Sequence, residues 1–188
     1  MPREYKPPVD PQAIRPHFSE TYRRNPGITL LTGHSHGAWP NVAIDAQIEV
    51  ANLAFENVDR KWEVIFTKII PEFQSLVAKR IGVSDPQLIA NDENTHNLVY
   101  RVLSCFNTGN PLRIVTTNAE FHSFTRQQLR LQEHGLTVQE VSTSDKSTLA
   151  DRITAAITTG TNLVIVSTVS FKDGYRLQDI PKIIAKAR

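Results

Sequence analysis

From residue 88 onward, short apolar runs alternate with longer amphipathic stretches. The runs with the length and composition of strands are Leu88–Ala90, Arg113–Thr117, Leu136–Val141 and Leu163–Val166. The stretches with helical spacing are Leu98–Phe106, Ser123–Glu133, Leu149–Ile157 and Ile180–Arg188. Parallel strands need crossover connections, and helices supply them. The pattern therefore predicts an α/β fold with three layers: a mostly parallel sheet with flanking helices.

The first 87 residues follow a different pattern. Residues 1–27 hold six of the eleven prolines and show no apolar periodicity, which predicts an extended N-terminal arm. Ile28–Thr32 reads as a short strand, and a helix is expected soon after Pro40. Pro71 is expected to open a further helix and Gly82 to end it. The predicted organisation is an arm over residues 1–27 and one domain over residues 28–188.

Composition narrows the possible partners. Of the 188 residues 40% are hydrophobic, enough to build a core, and 21 basic side chains face 19 acidic ones. Because the basic residues are scattered, nucleic acid is not the expected partner. A small molecule is expected instead. No signal segment or run of membrane length is apparent, so no membrane association is expected. The one cysteine, Cys105, is expected to pack in the core, and a cytoplasmic location fits.

Polar residues follow several of the predicted strands. In open parallel sheets, ligands bind at the carboxyl ends of the strands. The residues at those positions include Asn94 and Thr95 at a predicted helix start, the loop from Glu120 to Ser123, and Ser167. A helix N-terminus with free N–H groups can bind phosphate. The same residue types also cap helices for local reasons, so both interpretations stay open for Asn94 and Thr95.

The loop Gly33–Gly37 holds two histidines on either side of Ser35. In an extended segment the side chains of His34 and His36 would leave the same face and could bind one metal ion, as in a histidine-metal hydrolase. The flanking glycines instead favour a turn whose backbone comes close to a ligand. The sequence shows no obvious third metal ligand, so a metal site is the weaker of the two hypotheses.

Four segments, in this order, carry a resemblance to a known family: LLTGHSHG, ANDENTHNLVYRVLSCF, TTNAEFHSFTRQ and VIVSTVSFKDGYRL. Together they resemble kynureninase and its relatives in the class V aminotransferase group of fold-type I pyridoxal-phosphate (PLP) enzymes. The similarity covers roughly residues 28–188. It implies that these residues are part of the large domain of such an enzyme. Where the kynureninases carry a glycine-asparagine-serine-leucine-glycine loop, this chain has His34 and His36.

The resemblance implies a PLP cofactor, an amino-acid substrate and a homodimer. It places the cofactor phosphate at Asn94 and Thr95, an aromatic ring stacked on the pyridine ring at Phe121, and a nearby hydroxyl at Ser167. Ser35 falls near the substrate carboxylate, and His34 and His36 on the substrate side of the pocket. No metal is expected. Asp92 and Glu93 would weaken phosphate binding unless their charges turn away.

A PLP enzyme also needs a lysine for the Schiff base and an acidic partner for the pyridine nitrogen. In the family resembled, both follow the strand after the one that leads to Ser167. Lys172, Lys182 and Lys186 do not match that lysine in position. The chain is therefore expected to be an inactive amino-terminal portion of such an enzyme. The alternative is a non-catalytic module that keeps the phosphate cradle for binding or interaction.

Overall fold

The computed structural model describes residues 10–31, 33, 37–106 and 111–188. The described chain divides into two compact units, residues 1–89 and residues 90–188. We call these the N-terminal unit and the C-terminal unit. The boundary predicted from the sequence, at residue 27, falls within the N-terminal unit.

Among the described residues of the N-terminal unit, the regular elements are all helical. It begins with α1 (Pro11–Ile14), a 3-10 turn over Arg15–Phe18 and α2 (Ser19–Arg24). The prediction of an extended arm is therefore wrong for residues 11–24, while residues 1–9 lie outside the described residues. Pro11 stands in the first turn of α1, where a proline N–H is not needed, and the Asp10 side chain accepts from the Gln12 N–H at 2.9 Å. Prolines that looked like breakers begin helices instead.

A nearly continuous helical run follows. It comprises α3 (Val42–Asn57), a 3-10 turn over Val58–Arg60, α4 (Lys61–Val64), a π turn over Ile65–Ile69 and α5 (Ile70–Ile81). As predicted, a helix starts just after Pro40, and Pro71 lies in the first turn of another. Gly82 ends α5 in the left-handed conformation at φ 76°, and the Val83 N–H then donates to the Ala78 carbonyl at 2.9 Å.

Two predicted strands are absent from the described residues. Ile28–Leu31 form no strand, and Ile28 instead closes a turn through its N–H to the Asn25 carbonyl at 3.4 Å. Thr32 lies outside the described residues. Residues 86–88 form a 3-10 turn, because the Asp85 side chain accepts from the Gln87 N–H and Pro86 has no N–H for a ladder. A short apolar run becomes a strand only where a neighbouring strand is available to pair with it.

The C-terminal unit holds a three-stranded parallel sheet in the order β2-β1-β3. Its strands are β1 (Arg113–Thr117), β2 (Thr137–Val141) and β3 (Leu163–Val164). Its helices are α6 (Thr95–Ser104), α7 (His122–Gln132), α8 (Leu149–Ala156) and α9 (Ile180–Ala187). The third strand is shorter than predicted and half-buried, since in the described residues it pairs only with β1.

Helices cover both faces of the sheet. Ile114 packs in one cluster with Leu103 of α6 and Phe124 of α7. Its neighbour Val115 points to the opposite face and packs in a second cluster with Ile153 of α8 and Ile183 of α9. The predicted three-layer α/β architecture is confirmed for this unit. In the described residues, no helix combines the length and apolarity needed to cross a membrane.

Candidate functional site

The loops after β1 and β2 are tied together at the carboxyl edge of the sheet. The Asn118 N–H donates to the Val141 carbonyl at 3.2 Å. The Asn118 side-chain oxygen accepts from both the N–H and the hydroxyl of Thr143, each at 2.9 Å. This amide therefore fixes the start of the loop that carries Glu120 and Phe121.

Glu120 joins that loop to the segment after β3. Only 7% of the residue is exposed. Its Oε1 accepts from the Thr117 hydroxyl at 2.6 Å and from the Ser167 N–H at 3.2 Å, and its Oε2 accepts from the Ser167 hydroxyl at 2.6 Å. One carboxylate thus holds the ends of two strands at a fixed separation. Ser167, selected from the sequence, lies at this junction.

Phe121 lies at the surface of the site, with 46% of the residue exposed. It is the residue before α7, and its carbonyl accepts from the first turn of that helix. Its ring centroid is 4.0 Å from that of His122 and 5.3 Å from that of Phe171, with the two phenyl rings nearly perpendicular at 85°. The ring is therefore only partly covered by its neighbours and is not a buried core aromatic.

Phe171 belongs to a hairpin that follows β3. Val169 and Arg176 form its antiparallel bridge, and the Ser170 N–H donates to the Tyr175 carbonyl at 2.9 Å. Lys146 forms an ion pair with Asp173, and this contact, first among several, lowers the pKa of the Asp173 carboxyl to about 2. The hairpin is thus fastened to the loop after β2.

Lysine also fastens this hairpin to the loop after β1. The Lys172 amine donates to the Asn118 carbonyl at 3.0 Å, and the Tyr175 hydroxyl donates to the Lys146 carbonyl at 3.0 Å. These contacts hold Phe171 beside Phe121. The aromatic surface is therefore built from two loops that are separated by about fifty residues of chain.

The cleft beneath these loops is small. It has a volume of ≈ 20 Å³ and includes Glu120, Lys146, Ser167 and Tyr175 in its lining. This volume is enough for about one water molecule. A ligand of cofactor size would have to lie outside the cleft, on the exposed aromatic side. A larger cleft of ≈ 520 Å³ lies at the amino end of β3, away from the edge where parallel sheets bind ligands.

Asn94 and Thr95 occupy the N-terminus of α6. The Asn94 side-chain oxygen accepts from the Asn97 N–H at 3.0 Å, so Asn94 is a helix cap. Thr95 is the first helical residue and is exposed, and the N–H groups of a first helical turn lack intrahelical partners. The capping interpretation is correct for Asn94, and it leaves the phosphate hypothesis for Thr95 open.

One of the two acidic residues beside this helix start has a cationic partner. Asp92 forms an ion pair with Arg101, and its oxygens accept from the Glu93 N–H at 2.8 Å and the Asn97 amide at 3.2 Å. The Glu93 N–H contributes most to lowering the pKa of the Asp92 carboxyl. The objection that this charge would repel a phosphate is therefore weaker than the sequence suggested.

The first turn of α6 also contacts α7. The Gln127 side chain donates to the His96 carbonyl at 3.0 Å. Gln127 follows Phe121 by six residues, or about 9 Å along a helix axis. Asn94 and Thr95 thus belong to the same region of the C-terminal unit as Phe121.

Some residues selected from the sequence cannot be placed. His34, Ser35 and His36 lie outside the described residues. Within the described ranges no group of three histidine, cysteine, aspartate or glutamate residues could hold a metal ion. Cys105 is exposed, contrary to the prediction of a core thiol, because it follows the last turn of α6.

The sequence placed Glu120 only as the first residue of the loop after β1, and it did not point to Lys146 or Asp173. The only signal was that Glu120 follows a strand that ends in two threonines. Its importance comes from burial against Ser167, 47 residues away in the chain, which no local pattern reveals. Lys146 and Asp173 sit in polar loops where charged residues are ordinary.

Comparison with known proteins found a likeness in fold. No family model matches the chain, and no curated protein matches it. A solved structure of C-DES matches with a TM-score of 0.73 and 20% sequence identity. That structure is a lysine-to-alanine variant of C-DES with glycine covalently linked to its PLP cofactor. The match covers 92% of this chain and 45% of that one, so this chain spans less than half of its neighbour. At this identity the likeness shows the α/β fold alone.

Proposed function

We propose that this chain is part of a PLP-dependent enzyme that acts on an amino acid. The observation that carries the proposal is the fold likeness over 92% of the chain to a protein with PLP and glycine bound. The four sequence segments support it independently, because they resemble PLP enzymes without reference to any structure. The chain spans only part of the length of its structural neighbour. The activity of a whole protein is therefore also a proposal.

The described residues fit the cofactor. Phe121 offers an exposed ring for stacking on the pyridine ring, and Ser167 offers a hydroxyl held in place by Glu120. Asn94 and Thr95 stand at a helix N-terminus, where free N–H groups and the helix dipole favour a phosphate. All four belong to the C-terminal unit. When bound, PLP supplies an electron sink for reactions at an amino acid.

The protein's own contribution is to bind and orient. The Asp92–Arg101 ion pair offsets one of the two negative charges, those of Asp92 and Glu93, that would oppose the phosphate. The hairpin that carries Phe171 packs this ring perpendicular to the Phe121 ring. Because the cleft below has room for about one water, it cannot admit the cofactor and leaves it on the aromatic surface.

The finer assignment is a class V aminotransferase of the kynureninase type. It rests on the order of the four sequence segments and on nothing else. We further propose that Ser35, His34 and His36 contact the amino-acid substrate and select it. Exchanging the two histidines should change the amino acid that the complete enzyme prefers, with little effect on PLP affinity.

We also propose that this chain alone does not catalyse the reaction. Each lysine near the proposed site is engaged: Lys172 with the Asn118 carbonyl and Lys146 with Asp173. Farther along the chain, the ion pair with Asp151 raises the pKa of Lys182, which disfavours the neutral amine that attacks an aldehyde. This observation also favours the second candidate function, a PLP-binding module without catalysis.

A homodimer is the proposed assembly. Helix α3 has no buried residue in the structure, although it carries many apolar side chains. Ile48 is 54% exposed, and Val42 and Phe55 on the same helix are more exposed still. Exposed apolar surface of this kind marks protein interfaces. A second copy of the chain is the partner that the family resemblance implies.

The proposal is tested by titrating PLP into the full chain and following its absorbance and the quenching of protein fluorescence. Phe121→Leu removes the aromatic ring but keeps an apolar side chain. We expect it to weaken PLP binding about tenfold, in line with the energy of ring stacking. The matched control is Phe73→Leu on α5, where the residue is 47% exposed, close to the exposure of Phe121. The proposal fails if wild type does not bind PLP, or if both variants weaken binding equally.

A further inference from the structure

Glu120 is a buried acidic residue with no basic partner among the described residues. None of their lysine, arginine or histidine nitrogens lies within 4.0 Å of its carboxylate. Burying a charge is costly unless it is paired or hydrogen-bonded. Here the compensation comes from three donors, two of them on Ser167. The arrangement therefore fixes Ser167 more tightly than packing requires.

The direction of these hydrogen bonds determines what Ser167 can do. A carboxylate accepts and does not donate, whereas a serine hydroxyl has one proton and two lone pairs. The Ser167 Oγ lies 2.6 Å from Glu120 Oε2, the distance of a charge-assisted O–H···O⁻ bond. The only proton of the hydroxyl is thus used on Glu120. On its exposed side, the Ser167 hydroxyl can therefore accept a hydrogen bond but cannot donate one.

We infer that Glu120 is a positioning residue: it accepts the one hydrogen bond that the Ser167 hydroxyl can donate, so that this hydroxyl can only accept a hydrogen bond from a ligand. The bound cofactor then presents an O–H or N–H donor to Ser167. This inference rests on the proposed function for the identity of the ligand. The negative charge of Glu120 strengthens the acceptor, because hydrogen bonds in series polarise one another. The pair consequently favours a protonated donor over an anionic group at this position.

Glu120→Gln is the informative change. The amide can keep accepting from Thr117 and from the Ser167 N–H while its NH₂ group donates to the Ser167 oxygen. The serine proton would then turn outward, and Ser167 would become a donor facing a donor. Ser167→Ala removes the group altogether. Ile153→Val, in the core on α8, is the control for a modest loss of stability away from the site.

The experiment measures the dissociation constant of PLP for the full chain, both single variants, the double variant and the control. We expect Ser167→Ala and Glu120→Gln each to weaken PLP binding about tenfold, and the double variant to be no weaker than the singles. Binding to Ile153→Val should stay within about twofold of wild type. Wild-type affinity in Glu120→Gln, or losses that multiply in the double variant, would overturn the inference.

A second measurement needs no ligand and no variant that folds poorly. In wild type, nuclear magnetic resonance should detect a slowly exchanging Ser167 hydroxyl proton with cross-peaks to the Glu120 side chain. A hydroxyl proton that exchanges freely with water would overturn the inference. Should wild type bind no PLP, the proposed function fails while this proton still decides whether the Ser167 hydroxyl donates to Glu120.

Discussion

Two adjacent isoleucines on α9 give a direct test of how the C-terminal unit is packed. Ile183 is 3% exposed and belongs to the cluster that includes Val115 and Ile153, whereas Ile184 is 46% exposed. Full burial of an isoleucine side chain contributes about 1.5–3 kcal/mol by transfer alone, and truncation also leaves a cavity. Ile183→Ala should therefore lower the free energy of unfolding by about 2–5 kcal/mol.

Ile184→Ala makes the same chemical change one residue later. Because Ile184 is already half-exposed, this change loses only part of the free energy of burying the side chain and leaves no enclosed cavity. The free energy of unfolding is therefore expected to fall by less than about 1 kcal/mol. Urea denaturation followed by circular dichroism measures both values under the same conditions. If Ile184→Ala lowers the free energy of unfolding as much as Ile183→Ala or more, Ile183 is not the residue that α9 buries in this cluster.

Three further predictions concern charge, lysine chemistry and assembly. Several contacts, that with Lys146 first among them, lower the pKa of the Asp173 carboxyl from 3.8 to about 2, so the ion pair should contribute fully above about pH 4 and be lost as the pH falls towards 2. The resonances of the Asp173 carboxyl should titrate with a midpoint near this pKa. Lys146→Met should raise the midpoint, and Lys79→Met should leave it unchanged. Borohydride reduction in the presence of PLP should label no single lysine stoichiometrically; such an adduct on Lys172 would contradict the proposed inactivity. In sedimentation experiments the full chain should dimerise and Ile48→Asp should shift it towards monomer, and a wild-type monomer at all concentrations would exclude the proposed assembly.

The sheet could be predicted where each strand has both a clear sequence pattern and a partner. β1 matches its predicted bounds, and the start of β2 differs by one residue. Ile28–Leu31 have a similar composition but no strand beside them, so their backbone groups bond elsewhere. The proline-rich start was misread because proline disrupts helix interiors but suits first turns.

The candidate site was only partly visible in the sequence. Asn94, Phe121 and Ser167 follow from their positions at helix starts and strand ends, combined with the rule for ligand sites in parallel sheets. The role of Glu120 depends on how far it is buried and on which donors reach it, and both depend on chain segments that are distant in sequence. Tertiary contacts of this kind decide whether a hydroxyl donates or accepts a hydrogen bond, and local sequence patterns do not encode them.

We propose that PLP binds on the aromatic surface at the carboxyl edge of the sheet. Nuclear magnetic resonance can follow the backbone amide resonances of the full chain as PLP is added. We expect saturable shifts that develop together at Asn94, Thr95, Phe121 and Ser167. Shifts confined to the cleft at the amino end of β3, which Thr158, Asn162 and Lys186 help to line, would contradict it.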